Sequence, residues 1–424
     1  MRSLFQWLHR QLSLQLLSGA LRKPHKKRET VPYQPRSARL LYVAASCLPY
    51  HISGYTARTH ELLCALHAAG ADLRVLTRCG YPWDRRDSLF LPQTDTTDRD
   101  GIWYHHSATP RNNRFIAIYA QEAASVIEEY ARQEQVAVIH AASNHVNALP
   151  ALIAARRLGI PFQYEMRGLW ELTRIARQPA FAKSHKFKLG LTLENFVASY
   201  ADRVLVISAQ LGRYIMEHWG IPENHIYLLP NCVDASRIYP SHVPQQPFTI
   251  GYAGSLINYE GLDTLLYALQ QLRQSGMAAR LVIAGDGEAR NDLENLASEL
   301  GLDDAVRFWG SLSPDEARAH LSRCTLVCIP RKPFTVCEII PPLKLTEAMA
   351  LQKPVVVPDL PVFHDEAGDA GWFFRSGDAN HLAQVLREAL SEPVGCAEKA
   401  RKGRERIVAH RQWRQFIPSI LDRA

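Results

Sequence analysis

The side chains best suited to chemistry are concentrated between residues 329 and 350, in the segment IPRKPFTVCEIIPPLKLTEAMA. This segment extends the apolar stretch LVCIP, precedes KPVVVPD, and carries Arg331, Lys332, Glu338, Lys344 and Glu347. A strand, a loop with fixed cations and a helix amino terminus together form the usual phosphate site of an α/β domain. The segment therefore predicts a binding site for a phosphorylated ligand.

The same segment predicts a helix over Leu345 to Leu351, with Glu347 in its first turn. A carboxylate at that position can accept two hydrogen bonds from a ribose diol, which makes Glu347 a candidate nucleotide ligand. The alternative is a loop whose charges are only solvated, as isolated Lys and Arg pairs usually are.

Three further sets of residues follow predicted strands in the first half of the chain. In Ser53-Gly54-Tyr55-Thr56 a glycine leads directly into a helix, where a phosphate can approach backbone N–H groups, or the glycine serves only a tight turn. His140 and His145 flank a strand end and are expected in one ligand-facing loop, with a structural role as the alternative. Arg167 follows the strand IPFQYEM, where a buried guanidinium requires either a protein carboxylate or an anionic ligand.

The sequence contains no motif typical of a bound metal ion, and we expect neither a metal nor another cofactor. Its eight cysteines are scattered, and the close set Cys324, Cys328 and Cys337 lacks a second pair of ligands at zinc-site spacing. Without a secretory signal, the thiols are expected to be reduced. The one Asp-x-Asp sequence, Asp98-Arg99-Asp100, lies in the polar stretch TDTTDRDG and is predicted to be a solvated loop.

The elements that must position these residues alternate between apolar strands and helix-sized segments. Strands are predicted at RLLYVAAS, DLRVLTR, GIWYHHS, VAVIHAAS, IPFQYEM, DRVLVIS and IYLLP, and, after the proline-rich linker YPSHVPQQP, at FTIGYAGSL, RLVIAGDG, VRFWGS, TLVCIP, KPVVVPD and WFFRSGD. This alternation predicts two successive doubly wound α/β domains with parallel sheets. They are expected at 38–240 and 246–396, with a helical segment at 397–424 that returns to the first domain.

Ligands of such sheets bind beyond the carboxyl ends of the strands. In the second domain the loops at those ends also include Gly254-Ser255-Leu256 and Gly285-Asp286-Gly287-Glu288. The two sets of loops are expected to face each other across a cleft, which is the usual place for a small-molecule site.

Positive charge is concentrated in the first 40 residues, which contain nine Lys or Arg and one acid, whereas the remainder contains 40 basic and 41 acidic residues. Within residues 1–37, which we call the leader, His9, Arg10 and Gln11 interrupt the apolar run that a secretory signal needs. The leader predicts an amphipathic helix on an anionic membrane surface; the alternatives are a packing helix plus linker, and a targeting peptide or disordered tail. The neutral remainder offers no basic stripe for nucleic acid.

From about Leu40 to its end the chain resembles the family 4 glycosyltransferases, which are retaining enzymes of the GT-B fold. The phrases that carry the resemblance are SGYTARTHELLCAL, VIHAASNHVNALPALIAARRLGIP, YEMRGLWE, LPNCVD, GYAGSLINYEGLD, IAGDG and PPLKLTEAMALQKPVVV. Their order and number make it specific. The motifs YEGLD, PLK-x-x-EAMA and YE-x-RGLWE most resemble those of a bacterial exopolysaccharide-associated branch of the family.

The resemblance implies a nucleotide-sugar in the second domain and most of the acceptor site in the first. Glu347 would bind the ribose, and Lys344 and Arg331 would neutralise the diphosphate. The implied donor residues are Gly54, Ser255, Arg331, Lys332, Glu338, Lys344 and Glu347, and the implied catalytic residues are His140, His145 and Arg167. In a front-face reaction of this kind the donor's own phosphate takes the acceptor proton, so no carboxylate pair is needed.

The function implied by the resemblance is metal-independent, retaining transfer of a sugar from a nucleotide diphosphate donor, a UDP-sugar before a GDP-sugar. The acceptor would be a glycan or a lipid-linked saccharide in polysaccharide biosynthesis, and the protein would be cytoplasmic and peripheral on the inner face of the cell membrane. The alternatives are a non-catalytic GT-B scaffold of a polysaccharide synthesis complex and a nucleotide-sugar 2-epimerase.

Three departures from the family pattern bear on the site. Ser255 and Glu260 stand where many relatives carry Arg and Lys, so the diphosphate charge must fall on Arg331, Lys332 and Lys344. Ala142 stands at the second position of a His-x-His, for which His145 is a possible replacement. The pair Glu338 and Glu347 is nine residues apart rather than the usual eight.

Overall fold

The computed structural model describes residues 2–22 and 32–422, and the chain divides into two compact units. The first unit comprises residues 1–171, 180–230 and 413–424, and the second comprises residues 172–179 and 231–412. Among the described residues, no helix combines the length and the apolar character that crossing a bilayer requires.

The first unit is built on a sheet of eight strands in the order β3-β4-β2-β1-β5-β6-β7-β8. The strands are β1 (Leu40–Ala44), β2 (Leu73–Thr77), β3 (Thr96–Arg99), β4 (Ile102–His105), β5 (Val138–Ala142), β6 (Phe162–Met166), β7 (Arg203–Val206) and β8 (Ile226–Leu228). Its helices are α1 (Arg2–Arg22), α2 (Gly54–Ala68), α3 (Ile116–Gln133), α4 (His145–Leu158), α6 (His185–Tyr200) and α7 (Ala209–Trp219), whereas α5 (Trp170–Arg177) begins in this unit and belongs to the second unit from residue 172. Every neighbouring pair of strands is parallel except β3 and β4.

The central strands of this sheet are buried on both faces, as expected for a parallel sheet covered by helices. β1, β5 and β6 are buried along their whole length, which explains why their sequences are nearly continuous apolar runs. The prediction of a solvated loop around Asp98 is wrong in part, because Thr96–Arg99 pairs with β4 as an antiparallel edge strand. The turn that joins the two strands uses positive φ at Asp100 and Gly101, and a four-residue polar strand gives no apolar signal to detect.

The leader helix α1 packs against α3, α4 and α6 of the first unit. Leu17 and Ala20 are buried on one side of it, whereas Leu8, Leu12 and Leu16, one turn apart on another side, are 49%, 50% and 40% exposed. The helix is therefore a part of the first unit that still presents apolar side chains to solvent. The basic run Lys23 to Arg28 lies outside the described residues.

The last residues of the chain also belong to the first unit. The segment contains α16 (Ile417–Leu421), whose Ile420 carbonyl accepts a hydrogen bond from Gln163 at 3.0 Å. The neighbouring Ser419 carbonyl accepts from Arg203 at 3.0 Å, and the Arg58 guanidinium lies over the Trp413 ring at 5.1 Å. These contacts attach the carboxyl terminus to the sheet of the first unit.

The second unit contains a parallel sheet of six strands in the order β11-β10-β9-β12-β13-β14. Its strands are β9 (Thr249–Ala253), β10 (Arg280–Ala284), β11 (Val306–Gly310), β12 (Leu326–Cys328), β13 (Val355–Pro358) and β14 (Gly371–Phe374). Its helices are α8 (Leu262–Gln274), α9 (Arg290–Glu299), α10 (Pro314–Arg323), α11 (Thr335–Ile339), α12 (Leu343–Ala350), α13 (Pro361–Ala367), α14 (Ala379–Ser391) and α15 (Pro393–His410). Both predicted sheets are confirmed, with every predicted strand present.

The segment from 329 to 350 is more structured than predicted. It contains the short helix α11, and α12 begins at Leu343, two residues before the predicted start. Glu347 is consequently the fifth residue of α12 and not in its first turn. Pro341 and Pro342 separate the two helices, because proline cannot continue α11 but is compatible with the start of α12.

Candidate functional site

A buried cluster of three charges lies at the carboxyl ends of β9 and β12 in the second unit. Glu260 precedes α8, Arg331 follows β12, and Lys344 is the second residue of α12. The Glu260 carboxylate accepts from the Arg331 guanidinium at 2.9 Å and from the Lys344 ammonium at 2.7 Å. One carboxylate therefore fixes both of the cations that the sequence placed at a phosphate.

Aromatic and backbone groups hold this cluster in place. Lys344 also donates to the Tyr252 hydroxyl at 2.6 Å and lies over the Tyr252 ring. A Cβ at Gly254 would lie 2.7 Å from the Lys344 ammonium, so the absence of a side chain there makes room for the cation. Arg331 donates its remaining hydrogen bond to the Ile340 carbonyl at 2.9 Å. The positions of both cations are thus determined before any ligand binds.

The electrostatics of the cluster favour the ionised form of Glu260. Burial acts to raise the pKa of Glu260, but Arg331 and Lys344 outweigh it and lower that pKa to about 2. Burial lowers the pKa of Lys344, with Arg331 adding to the effect and Glu260 opposing it. Since an opposite charge favours the charged form of a group, an incoming phosphate would raise the pKa of Lys344 again.

The third predicted cation, Lys332, is also paired. Its ammonium donates to Asp263 at 2.6 Å at the start of α8. The expectation that Arg331, Lys332 and Lys344 carry a phosphate charge therefore needs a correction, because three cations and two carboxylates leave one net positive charge. Glu260, noted from the sequence only as a departure, is the centre of this arrangement.

The other predicted donor residues lie on the same strand ends and helices. Glu347 is partly exposed on α12, 3.5 Å from the Arg318 guanidinium, and burial raises its pKa against the effects of Arg318 and Lys344. Glu338 lies on α11 and Ser255 is exposed after β9. The Ser255 carbonyl accepts from the Tyr252 hydroxyl at 3.0 Å, which connects this loop to the cluster.

In the first unit, the Ser53-Gly54 loop has the predicted form. Ser53 caps α2 and Gly54 is its first residue, with the Ser53 side chain accepting from the Thr56 amide. A Cβ at Gly54 would meet nothing within 4 Å. The backbone at this helix amino terminus is therefore open to a ligand, as a phosphate site requires.

His140 is not in a loop, as the sequence suggested, but inside β5 and fully buried. Its ring nitrogens lie 3.0 Å from the Gln163 amide oxygen and 3.2 Å from the Glu165 carboxylate. With both nitrogens engaged inside the sheet, His140 positions its neighbours and does not reach a substrate in this arrangement.

Arg167 has a protein carboxylate as its partner, which is one of the two alternatives that its burial left open. It donates to Glu165 at 2.8 Å and to the Thr59 hydroxyl at 2.6 Å. Arg58 bonds the same carboxylate at 3.1 Å. Burial alone would raise the pKa of Glu165, but Arg167, His140 and Arg58 hold it well below its usual range. Arg167 and Arg58 thus form a buried ion-pair network under the Ser53-Gly54 loop.

His145, the first residue of α4, lies in a second cluster with Glu171 and Glu194. Its Nδ1 is 3.0 Å from Glu194 Oε1, which also accepts from the His145 amide at 2.7 Å. Burial and Glu194 raise the pKa of Glu171 to about 7. Burial acts to lower the pKa of His145, but the two carboxylates raise it overall.

These three side chains are the one set among the described residues whose potential metal-ligand atoms all lie within 4.8 Å of one another. The raised pKa values of His145 and Glu171 mean that protons held by these two groups can offset the charge of the cluster without an ion. The eight cysteines, all within the described residues, form no disulfide, and seven of them are buried.

Sequence analysis missed the carboxylates at the centres of the three groups of buried charges. Glu165 and Glu194 occur in otherwise apolar stretches, and a single acid at an inward position of a buried strand or helix is the signal that could have found them. Glu260 could have been found through its place directly after a strand-end loop, at the same sheet edge as Arg331.

Comparison with known proteins identifies the family. Residues 53–232 match the family description "Glycosyl transferase 4-like domain", and residues 247–392 match "Glycosyl transferases group 1". The chain belongs to the family 4 glycosyltransferases. This family assignment confirms the resemblance, and the matched ranges contain every predicted donor and catalytic residue.

Two curated relatives illustrate the range of this glycosyltransferase family. The chain is 24% identical to a glycogen synthase of Mycobacterium tuberculosis over 88% of this chain and 91% of that protein. It is 30% identical to the putative colanic acid biosynthesis glycosyltransferase WcaL of Escherichia coli, over 40% of this chain and 43% of the relative.

Solved structures confirm the GT-B fold. Sucrose-phosphate synthase from Thermosynechococcus elongatus superposes with a TM-score of 0.74 at 18% identity, over 91% of this chain and 97% of that one. Anabaena HepE in complex with UDP superposes with a TM-score of 0.69 at 16% identity, over 90% and 98% of the two chains. HepE has also been solved with UDP-glucose.

Proposed function

We propose that this glycosyltransferase transfers a sugar from a UDP-sugar to a glycan or lipid-linked saccharide, with retention of anomeric configuration and without a metal ion. The observation that carries the proposal is the Glu260-Arg331-Lys344 cluster at the strand ends of the second unit. Similarity to HepE, a protein solved with UDP and with UDP-glucose, supports the choice of nucleotide.

The cluster suits a reaction in which negative charge develops on a departing diphosphate. When the bond from the anomeric carbon to the diphosphate breaks, the phosphate gains charge beside Lys344 and Arg331. Preorganised cations stabilise that charge without reorganising, because Glu260 and Tyr252 already hold them. The acceptor oxygen bonds to the same face of the sugar, and its proton passes to the departing phosphate.

We further propose that α1 attaches the protein to an anionic membrane, where a lipid-linked acceptor would be found. The exposed Leu8, Leu12 and Leu16 supply an apolar stripe, and Trp7 beside them is 48% exposed. An interfacial helix with such a stripe followed by basic residues binds anionic lipids in two ways: its apolar side chains are buried in the membrane interface, and its basic residues are attracted to the headgroups.

The proposal is tested by measuring nucleotide binding without metal and with EDTA. UDP, GDP, ADP and CMP, with their sugar conjugates, are titrated into the full chain and followed by thermal shift and calorimetry. We expect binding of one nucleotide family, weakened by Glu347→Ala and unaffected by the control Glu398→Ala on the exposed surface of α15. A donor that is epimerised without an acceptor would favour the 2-epimerase, and binding only with added metal would contradict the metal-free reaction.

The pairing of both cations with Glu260 favours one second candidate, the non-catalytic scaffold. In a scaffold Glu260 would serve as a permanent counter-ion in place of a phosphate. That candidate predicts a folded chain that binds no nucleotide and a Glu260→Gln variant that gains binding. The enzyme predicts nucleotide binding by the unmodified chain.

A further inference from the structure

A groove of about 370 Å³ lies at the amino-terminal side of the second unit's sheet. It is lined by the start of β10, the start of β11 and the end of α10. Since the donor cluster lies at the carboxyl ends of the strands, the groove is a separate feature of the same unit. No function considered above uses it.

The groove is open because helices cover only part of this face of the sheet. α10 packs closely on β9, where a Cβ at Gly251 would lie 2.8 Å from Leu321. Val282 of β10 pairs with Arg307 of β11, and side chains alternate between faces along a strand. Arg280, Arg307 and Trp309 therefore project from the uncovered face, and all three are exposed.

Three arginines that line the groove are unpaired. Among the described residues, the side chains of Arg280, Arg307 and Arg323 form no ion pair and donate no hydrogen bond, although the arginines elsewhere in this unit commonly do both. Two carboxylates also line the groove: Asp304 is paired with Arg273 at 2.6 Å, and Asp303 accepts from the Ser298 hydroxyl at 2.5 Å. The groove thus offers three guanidinium groups with free donors.

An aromatic surface lies beside these cations. The Trp309 and His320 rings are 4.4 Å apart between centroids and tilted by 38°, and Arg307 lies 5.0 Å from the Trp309 centroid. Trp309 is 43% exposed, so part of its indole is available to a ligand beside His320 and Arg307. Arginine donates bidentately to carboxylate and phosphate groups, whereas an exposed indole stacks on a flat, weakly polar ring face.

We propose that the groove binds an anionic saccharide chain, with sugar rings against Trp309 and carboxylate or phosphate groups on Arg280, Arg307 and Arg323. The choice of a saccharide over other anions rests on the proposed function, since a glycosyltransferase meets its product chain at high local concentration. Binding at this groove would retain the chain on the second unit away from the donor cluster.

The test is calorimetry of the full chain with a hexamer of galacturonic acid, its neutral methyl ester, and a phosphorylated mannose oligosaccharide. We expect at least one of the two anionic oligosaccharides to bind, with an affinity that falls at higher salt, and we expect no binding of the neutral ester. The relative affinities of the two anionic oligosaccharides show whether carboxylate or phosphate is preferred. The triple variant Arg280→Ser, Arg307→Ser, Arg323→Ser should weaken binding about tenfold or more, because three charge-assisted contacts are lost. Trp309→Ala should also weaken binding of the oligosaccharide, although this variant retains all three arginines.

The control is a second triple variant with the same change in charge on another exposed surface of the unit: Arg375→Ser, Arg387→Ser, Arg401→Ser. Equal losses in the two triple variants would show attraction to general surface charge and overturn the proposal. So would tighter binding of a single-stranded oligonucleotide at the same salt, or no binding of either anionic oligosaccharide. UDP binding by the groove variant is measured in parallel and should be unchanged, so failure of the groove and failure of the donor site are distinguishable.

Discussion

At the scale of single residues, the site depends on how Glu260 divides its charge between two cations. A buried carboxylate with one cation would leave that pair neutral, whereas Glu260 with Arg331 and Lys344 retains one positive charge for a ligand. The second cation also offsets the charge of Glu260, so the departure that the sequence shows at this position does not cancel the positive charge of the site. Lys344 supplies an ammonium at the same loop from a different element, beside Gly254.

Lys344→Ala tests this interpretation directly. We expect transfer to slow about 100-fold or more, as when one preorganised stabiliser of transition-state charge is removed. The comparison is Lys332→Ala, which removes a cation paired with Asp263 at a more exposed position and should have a smaller effect. Steady-state kinetics with the preferred nucleotide-sugar measure both, and normal turnover of Lys344→Ala would remove Lys344 from the diphosphate role.

Glu171 should make stability depend on pH. Its pKa in the folded chain is about 7, above the ordinary value of 4.5, so the folded state holds its proton more tightly. The stability from this proton is fully present below pH 4.5 and is lost as the pH rises through 7. Relative to Glu171→Gln, the free energy of unfolding of the unmodified chain should fall by roughly 1–3 kcal/mol between pH 5 and 8.

Urea unfolding at several pH values measures this difference. The control is Glu217→Gln on the exposed side of α7, which should give a pH profile parallel to that of the unmodified chain. A parallel profile for Glu171→Gln as well would show that Glu171 is ionised throughout.

At the scale of elements, the approach of α8 to β12 depends on Gly261. It has φ of +75°, and an added Cβ would lie 1.9 Å from the Pro330 carbonyl oxygen. Gly276, at the other end of α8, has φ of +88° but open space around it. Alanine at either position has a similar backbone cost, because φ is positive at both. The difference between the two losses of stability therefore measures the collision with the Pro330 carbonyl.

We expect Gly276→Ala to cost about 1 kcal/mol of stability and Gly261→Ala at least about 2 kcal/mol more. Because Gly261 follows Glu260, its substitution should also weaken UDP binding, whereas Gly276→Ala should leave it unchanged. Thermal unfolding and calorimetry check the pair. Equal costs would mean that the Pro330 segment moves aside easily.

The leader helix gives the second test at this scale. Substituting Leu8, Leu12 and Leu16 by Gln should reduce sedimentation with anionic phospholipid vesicles about tenfold or more, because buried apolar groups supply much of interfacial binding. The control substitutes Tyr267, Val394 and Val408, exposed apolar residues of the second unit. Deleting residues 2–30 is a poorer test, since it also removes the buried Leu17 and Ala20. Undiminished sedimentation of the leader variant would contradict the membrane role.

At the scale of the whole molecule, the sequence was sufficient for the fold and for part of the site. Apolar runs such as β1 and β5 are buried on both faces, so their pattern is strong, and the family phrases fall on the loops at their ends. β3 was missed because its four residues are polar and none of them is fully buried. The pairings of Glu260 were missed because Arg331 and Lys344 are 71 and 84 positions away, and no local pattern reports which side chains meet across a fold.

The carboxyl-terminal residues that complete the first unit impose an order on biosynthesis. Gln163 and Arg203 bond the carbonyls of Ile420 and Ser419, which leave the ribosome more than 200 residues later. All residues of the second unit, by contrast, have been translated once residue 412 is added. The half of the protein made first must therefore wait, with a gap in its packing, until residues 413–424 have been added. A premature stop after residue 412 would leave the second unit whole and the first unit without its closing segment.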